Sequence, residues 1–241
     1  FIFCLGWDSK LLESKQKGHI MKSTFTKIAL TSALIMSSSL VASEIEVTIT
    51  NLTKGVSFTP LLVSAHAANS QLFNDGAASS TNLKSMAEGG DVSGLLADLN
   101  AAGANSVENP AAGLLSAGAS TTTSVTTTAG NEYLSIVAMM LPTNDGFVAM
   151  NSVKIPTLAG VYKYELNAHD AGTEANDELA ANIPALATGS GATGVSASAE
   201  GFVHIHRGSL GDFDGVAGVS DLDARTDRFL NPGASVIVTV K

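Results

Sequence analysis

What this chain lacks narrows it first. Its single cysteine is Cys4 and its single tryptophan is Trp7, both near the start. From Glu44 onward there is no cysteine, so no disulfide framework is possible there, and a core or a bound ion must hold the fold. Basic residues are also scarce. Five of the 13 (Lys10, Lys15, Lys17, Lys22, Lys27) and two of the 22 acids (Asp8, Glu13) precede Glu44, which leaves 8 against 20 and a net charge of −12. So acidic a chain repels nucleic acid and anionic lipid, and no basic run interrupts it; a cation, or solubility in salty water, suits it better. Catalytic signatures are missing too. There is no G-x-S-x-G elbow, H-E-x-x-H helix, phosphate-binding glycine loop or paired acid/base motif. The string GSGATG (Gly189–Gly194) has neither a strand before it nor a helix after it. No catalytic residue is assigned, and the chain is expected not to be an enzyme.

What is present begins with Met21–Ser43, MKSTFTKIALTSALIMSSSLVAS. Lys22 and Lys27 form a basic n-region. Ile28 to Met36 is an apolar stretch far shorter than the roughly 20 residues of a bilayer span. Val41 and Ser43 supply the small residues of a cleavage site. Residues 21–43 therefore predict a signal peptide, cleaved near Ser43, and a secreted product with no membrane insertion afterwards. Residues 1–20 stand before an internal methionine and are set apart as upstream sequence or a mis-assigned start. Residues 44–241 are the size of one domain of the sandwich or barrel type.

Strand patterns dominate that domain. In Glu44–Asn51, Ile45, Val47 and Ile49 alternate with Glu46, Thr48 and Thr50, which predicts a half-buried strand. Further strands are predicted at Phe58–His66, Thr121–Thr128, Glu132–Met140, Val161–Asn167, Glu200–His206 and Ser235–Val240. Glu132–Met140 is almost continuously apolar, so both its faces should be covered. A helical insert follows the second strand. Asn82–Glu88 ends at Gly89-Gly90, and Asp91 or Ser93 can cap a second helix with a Leu95, Leu96, Leu99 stripe. Many short strands with turn signals favour an antiparallel sandwich.

Several strings, in order, resemble the spondin N-terminal domain in its bacterial secreted form. They are ITNLTKGVSFTPLLVSAH (Ile49–His66), QLFNDGAAS, LKSMAEGGD, LPTNDGFVAMNSVKI (Leu141–Ile155), YELNAHDAGTEAND (Tyr164–Asp177), GFVHIHRG and DLDARTDRFLNPGASVIVTV. The resemblance implies an all-β, antiparallel, eight-stranded β-sandwich similar to a C2 domain, with a calcium ion held in loops at one end. It implies an adhesion or binding role at a cell surface or matrix, with an extracellular ligand that the sequence does not name. Oligomeric state is equally open.

By family position Asp145, Asp170 and Glu174 would be the calcium ligands. Calcium takes six to eight oxygens at about 2.3–2.6 Å, which loops supply from carboxylates and carbonyls. Glu174 stands where the family usually has Asp, and Gly146 where it has an aromatic. Solvated loop acids are the alternative. His204 and His206 form an H-x-H whose period-two spacing puts both rings on one face of a strand, a pattern of zinc and copper sites, with His66 or His169 as a third ligand. That pair founds a competing reading, a metalloprotein of enzymatic or redox type; a structural component of an extracellular assembly is another. The D-x-D-G at Asp212 opens like a calcium loop but lacks the closing Glu, since Asp223 occupies its twelfth position.

Overall fold

The computed structural model describes residues 43–184, 186, 194, 196–214 and 218–241. The predicted signal peptide and the stretch before it lie outside the described residues, apart from Ser43, as does most of Gly189–Gly194. The described residues belong to one unit, Ser39–Lys241.

The alternation at the start of this unit makes β1 (Ser43–Asn51), with Ile45, Val47 and Ile49 buried and their neighbours facing out. After it come β2 (Ser57–Phe58) and β3 (Leu62–His66), then helices α1 (Thr81–Gly89) and α2 (Ser93–Ala101). The chain continues through β4 (Asn105–Glu108), β5 (Ser120–Thr127), β6 (Tyr133–Leu141), β7 (Gly146–Lys154) and β8 (Gly160–Asp170). It closes with β9 (His204–Ile205) and β10 (Ala234–Val240). Every ladder between these strands is antiparallel, in the order β4-β3-β6-β7-β8-β10-β1-β5, with β2 on β6 and β9 on β8. The two ends of that path, β4 and β5, pack against each other, so the sheet curls into a nearly closed barrel. The fold is all-β with two helices laid on it.

Two apolar clusters explain the strand sequences. Inside the curl lie Ile45, Val47, Ile49, Ile136, Ala138, Leu166, Val236 and Val238. On the outer face of β6 and β7 lie Val137, Met139, Phe147 and Ala149, roofed by Leu83 and Met86 of α1 and Leu95 and Leu99 of α2. β6 therefore buries both faces, which is why it carries no polar alternation. The helices are punctuated as the glycines suggest. Ser80 Oγ accepts from Leu83 N–H, and Gly90, at φ +71°, donates to the Met86 carbonyl. Asp91 serves α2 from outside, its Oδ1 accepting from Ser93 N–H at 2.9 Å.

Two strand predictions change, and β4 and β7 form where the sequence predicts no strand. Phe58–His66 is broken into β2 and β3 at Thr59-Pro60-Leu61, because Pro60 has no N–H to give. Thr59 bridges the break, its N–H reaching the Met139 carbonyl and its Oγ1 accepting from Met139 N–H. Glu200–His206 shortens to β9. The stretch after Asp145 is a full strand, β7, whose alternation is hidden because its first half is buried on both faces.

Candidate metal centre

At one end of the sheet the β6–β7 turn and the loop after β8 meet. Thr143 shapes the turn, its Oγ1 donating to the Met140 carbonyl (2.6 Å) and accepting from Gly146 N–H (3.0 Å). Gly146 pairs with Asp170 across the β7–β8 ladder, which brings Asp145 beside the end of β8. Gly172, at φ +66°, then turns the chain back, and a β-carbon there would lie 2.3 Å from the Phe202 carbonyl oxygen. The turn delivers two amides to Asp145: its Oδ2 accepts from Thr173 N–H (2.7 Å) and Glu174 N–H (3.1 Å).

The three acids predicted from the sequence are not solvated loop acids. Asp145 is 0% exposed, Asp170 1% and Glu174 1%. Asp170 is well held, with Oδ1 accepting from Gly172 N–H (2.7 Å) and Oδ2 from Asn176 Nδ2 (2.6 Å). Glu174 Oε1 accepts from Gly194 N–H. Two buried oxygens, Asp145 Oδ1 and Glu174 Oε2, have no hydrogen-bond partner. Burial, and then the Asp170 charge, push the Asp145 carboxyl up to about 6, against the hydrogen bonds it accepts. Burial likewise pushes Glu174 up to about 7, opposed by the Gly194 amide and reinforced by the Glu88 and Asp145 charges.

Both departures from the family pattern are accommodated. The longer arm of Glu174 runs over Gly194, where a β-carbon would stand 2.0 Å from Glu174 Cδ. The space left by an aromatic at position 146 is taken by His206, whose Cδ2 would be 3.0 Å from a β-carbon there.

The histidines separate into different roles. His66 is spent on Ser135 Oγ (2.7 Å) and the Ala67 carbonyl (2.8 Å). His169 stacks on Phe147 with ring centroids 5.4 Å apart, its Nε2 lying 3.7 Å from Asp75. Both ring nitrogens of His66 are thus engaged away from the H-x-H pair, and His169 faces Asp75. His206 is buried against Phe229, and its Nδ1 accepts from Gly208 N–H at 2.9 Å. A backbone amide can only donate, so Nε2 carries the proton; burial holds this ring's pKa down to about 4 and keeps it neutral. His204 instead approaches Asp170 and Glu200, and one ligand atom from each of these three lies within 4.8 Å of the others. Glu200 was not foreseen as a ligand. Its spacing to His204 has meaning only once the chain turns back over β8. The Asp212 loop uses its carboxylate internally: Oδ1 accepts from Asp214 N–H, and Oδ2 from Val219 and Ser220 N–H. Residues 215–217 of that loop lie outside the described residues.

The family model described as Spondin_N matches residues 50–188, more than half of the 241. The chain belongs to the spondin N-terminal domain family. No curated protein matches it. The matched span contains Asp145, Asp170 and Glu174 of this spondin domain, and it ends before Glu200, His204 and His206.

Proposed function

We propose that this spondin domain is an exported, non-catalytic binding module whose loop end is made rigid by one calcium ion held by Asp145, Asp170 and Glu174. The observation carrying this reading is the pair of buried oxygens without partners, Asp145 Oδ1 and Glu174 Oε2, each on a carboxyl whose ionisation burial opposes. A divalent cation supplies the charge that would let these acids ionise together. It would also clamp the β6–β7 turn to the loop after β8, giving a preorganised rim for an extracellular partner.

Export is supported by family membership and by the Met21–Ser43 leader pattern. Among the described residues no helix is long and apolar enough to cross a membrane. The resemblance favours reading the curled sheet as a C2-like sandwich, β4-β3-β6-β7 facing β8-β10-β1-β5, with the short β2 and β9 as additions. Calcium titration into chelator-treated protein, followed by calorimetry and melting, tests the proposal. One equivalent bound with a raised Tm is expected; an unchanged Tm overturns it.

A further inference from the structure

Asp170 closes β8, and its ladder partner in β9 is His204. Directly paired residues project from the same face. His204 Nε2 lies 3.6 Å from Asp170 Oδ1 and 4.0 Å from Glu200 Oε1. Its other ring nitrogen decides its state. Nδ1 stands 3.0 Å from the Ile205 carbonyl oxygen, which can only accept, so Nδ1 carries the proton and the neutral ring offers a lone pair at Nε2. That atom is buried without a hydrogen-bond partner and faces two carboxylates. Lone pair against anions is repulsive unless a positive charge stands between them.

A proton would draw the ring into charge-assisted hydrogen bonds of about 2.7–2.9 Å. The separations found are longer. They suit ligands sharing an ion: metal bonds of about 2.0–2.2 Å in a tetrahedron hold ligand atoms about 3.4 Å apart.

We propose that Asp170, Glu200 and His204 form a second metal site, for a divalent transition ion of the zinc class. The imidazole nitrogen turns the preference away from calcium and magnesium, which seek oxygen. A ligand histidine whose other nitrogen donates to a backbone carbonyl is the usual arrangement at such sites. Asn176 Nδ2 orients both acids, at 2.6 Å from Asp170 Oδ2 and 3.4 Å from Glu200 Oε1. Side chains of Glu200 and His204 remain 29% and 27% exposed, so an ion can enter and water can fill its open position. His206 is not a ligand, because its Nε2 bears the proton. The ion would fasten Glu200–His204 onto the end of β8, beside the bond from Gly201 N–H to the Gly172 carbonyl (2.9 Å). The site shares Asp170 with the calcium proposal but does not rest on it.

Zinc and cobalt(II) titrations of the folded chain in calcium-free buffer test this whether or not calcium binds elsewhere. Expected are one equivalent of zinc and a cobalt absorption spectrum of a nitrogen-containing tetrahedral or five-coordinate site. Glu200→Gln and His204→Gln should each weaken zinc at least tenfold and alter the cobalt spectrum, while their metal-free melting stays that of the parent. Asp145→Asn should retain zinc. Absence of stoichiometric zinc uptake overturns the proposal, as do parental zinc affinities in both variants. Loss of zinc binding in Asp145→Asn overturns it as well, since the ion would then belong to the calcium loops.

Discussion

Gly146 and His206 share one volume: a β-carbon on the glycine would stand 3.0 Å from His206 Cδ2 and 2.6 Å from Thr143 Oγ1. The contact joins the turn that carries Asp145 to the strand end that carries His204. Gly146→Ala should therefore destabilise the fold by about 1–3 kcal/mol, the usual cost of overpacking a buried site. Urea unfolding measures it. Because His206 is one of the atoms in the way, His206→Ala should relieve part of the loss in a double-mutant cycle, and strict additivity would disprove the shared volume.

Calcium at 100 times its dissociation constant should stabilise the parent by about 2.7 kcal/mol. For a domain of this size that is a Tm rise of roughly 5–10 °C. Asp145→Asn and Glu174→Gln should lose most of this rise, as read by differential scanning calorimetry with and without chelator.

Calcium binding should weaken in acid. Asp145 and Glu174 sit near about 6 and 7 in the metal-free fold, so below those values protons compete with the ion. Affinity at pH 5 should fall on the order of 100-fold or more below that at pH 8. Stability of the metal-free fold carries the opposite sign. Both acids titrate higher folded than unfolded, so what they contribute is fully present in acid and lost as pH rises through about 6 and then 7. Calorimetric titrations at several pH values check both; a flat affinity would refute paired protonated acids.

His206 pulls against that trend. Burial lowers its pKa to about 4, from the ordinary value near 6.5 that it regains on unfolding. Its contribution is present above about 6.5 and lost as pH falls toward 4. In His206→Gln the stability curve between those limits should rise more steeply toward acid than in the parent, because the opposing contribution of the ring is gone. Parallel curves from denaturant titrations would show that the ring does not titrate as its burial demands.

Phe147 fastens the helices to the sheet. It is fully buried, edge-on to Phe73 with centroids 5.2 Å apart and stacked on His169. Phe147→Ala should cost about 3–5 kcal/mol and raise amide exchange first in α1 and α2. Equal exchange increases across β1 and β10 would contradict the separation of the two apolar clusters.

The sequence alone determined what depends on neighbours along the chain. Alternation fixed the buried face of β1, the apolar run of β6 required cover on both sides, and Gly90 ended α1. The order of family strings singled out Asp145, Asp170 and Glu174, although Asp170, expected in a loop, is the last residue of β8. Tertiary structure decided everything that depends on chain segments far apart. Local pattern cannot show that Pro60 breaks a strand while Thr59 mends the ladder, nor that β4, with little apolar signal, closes the curl against β5. The length of Glu174 means nothing until Gly194 lies across it. Glu200 becomes a neighbour of Asp170 only when the chain returns along β8. A cation site is an arrangement of charges over a few ångströms in a medium that screens poorly, and that distance is set by folding rather than by spacing in the sequence.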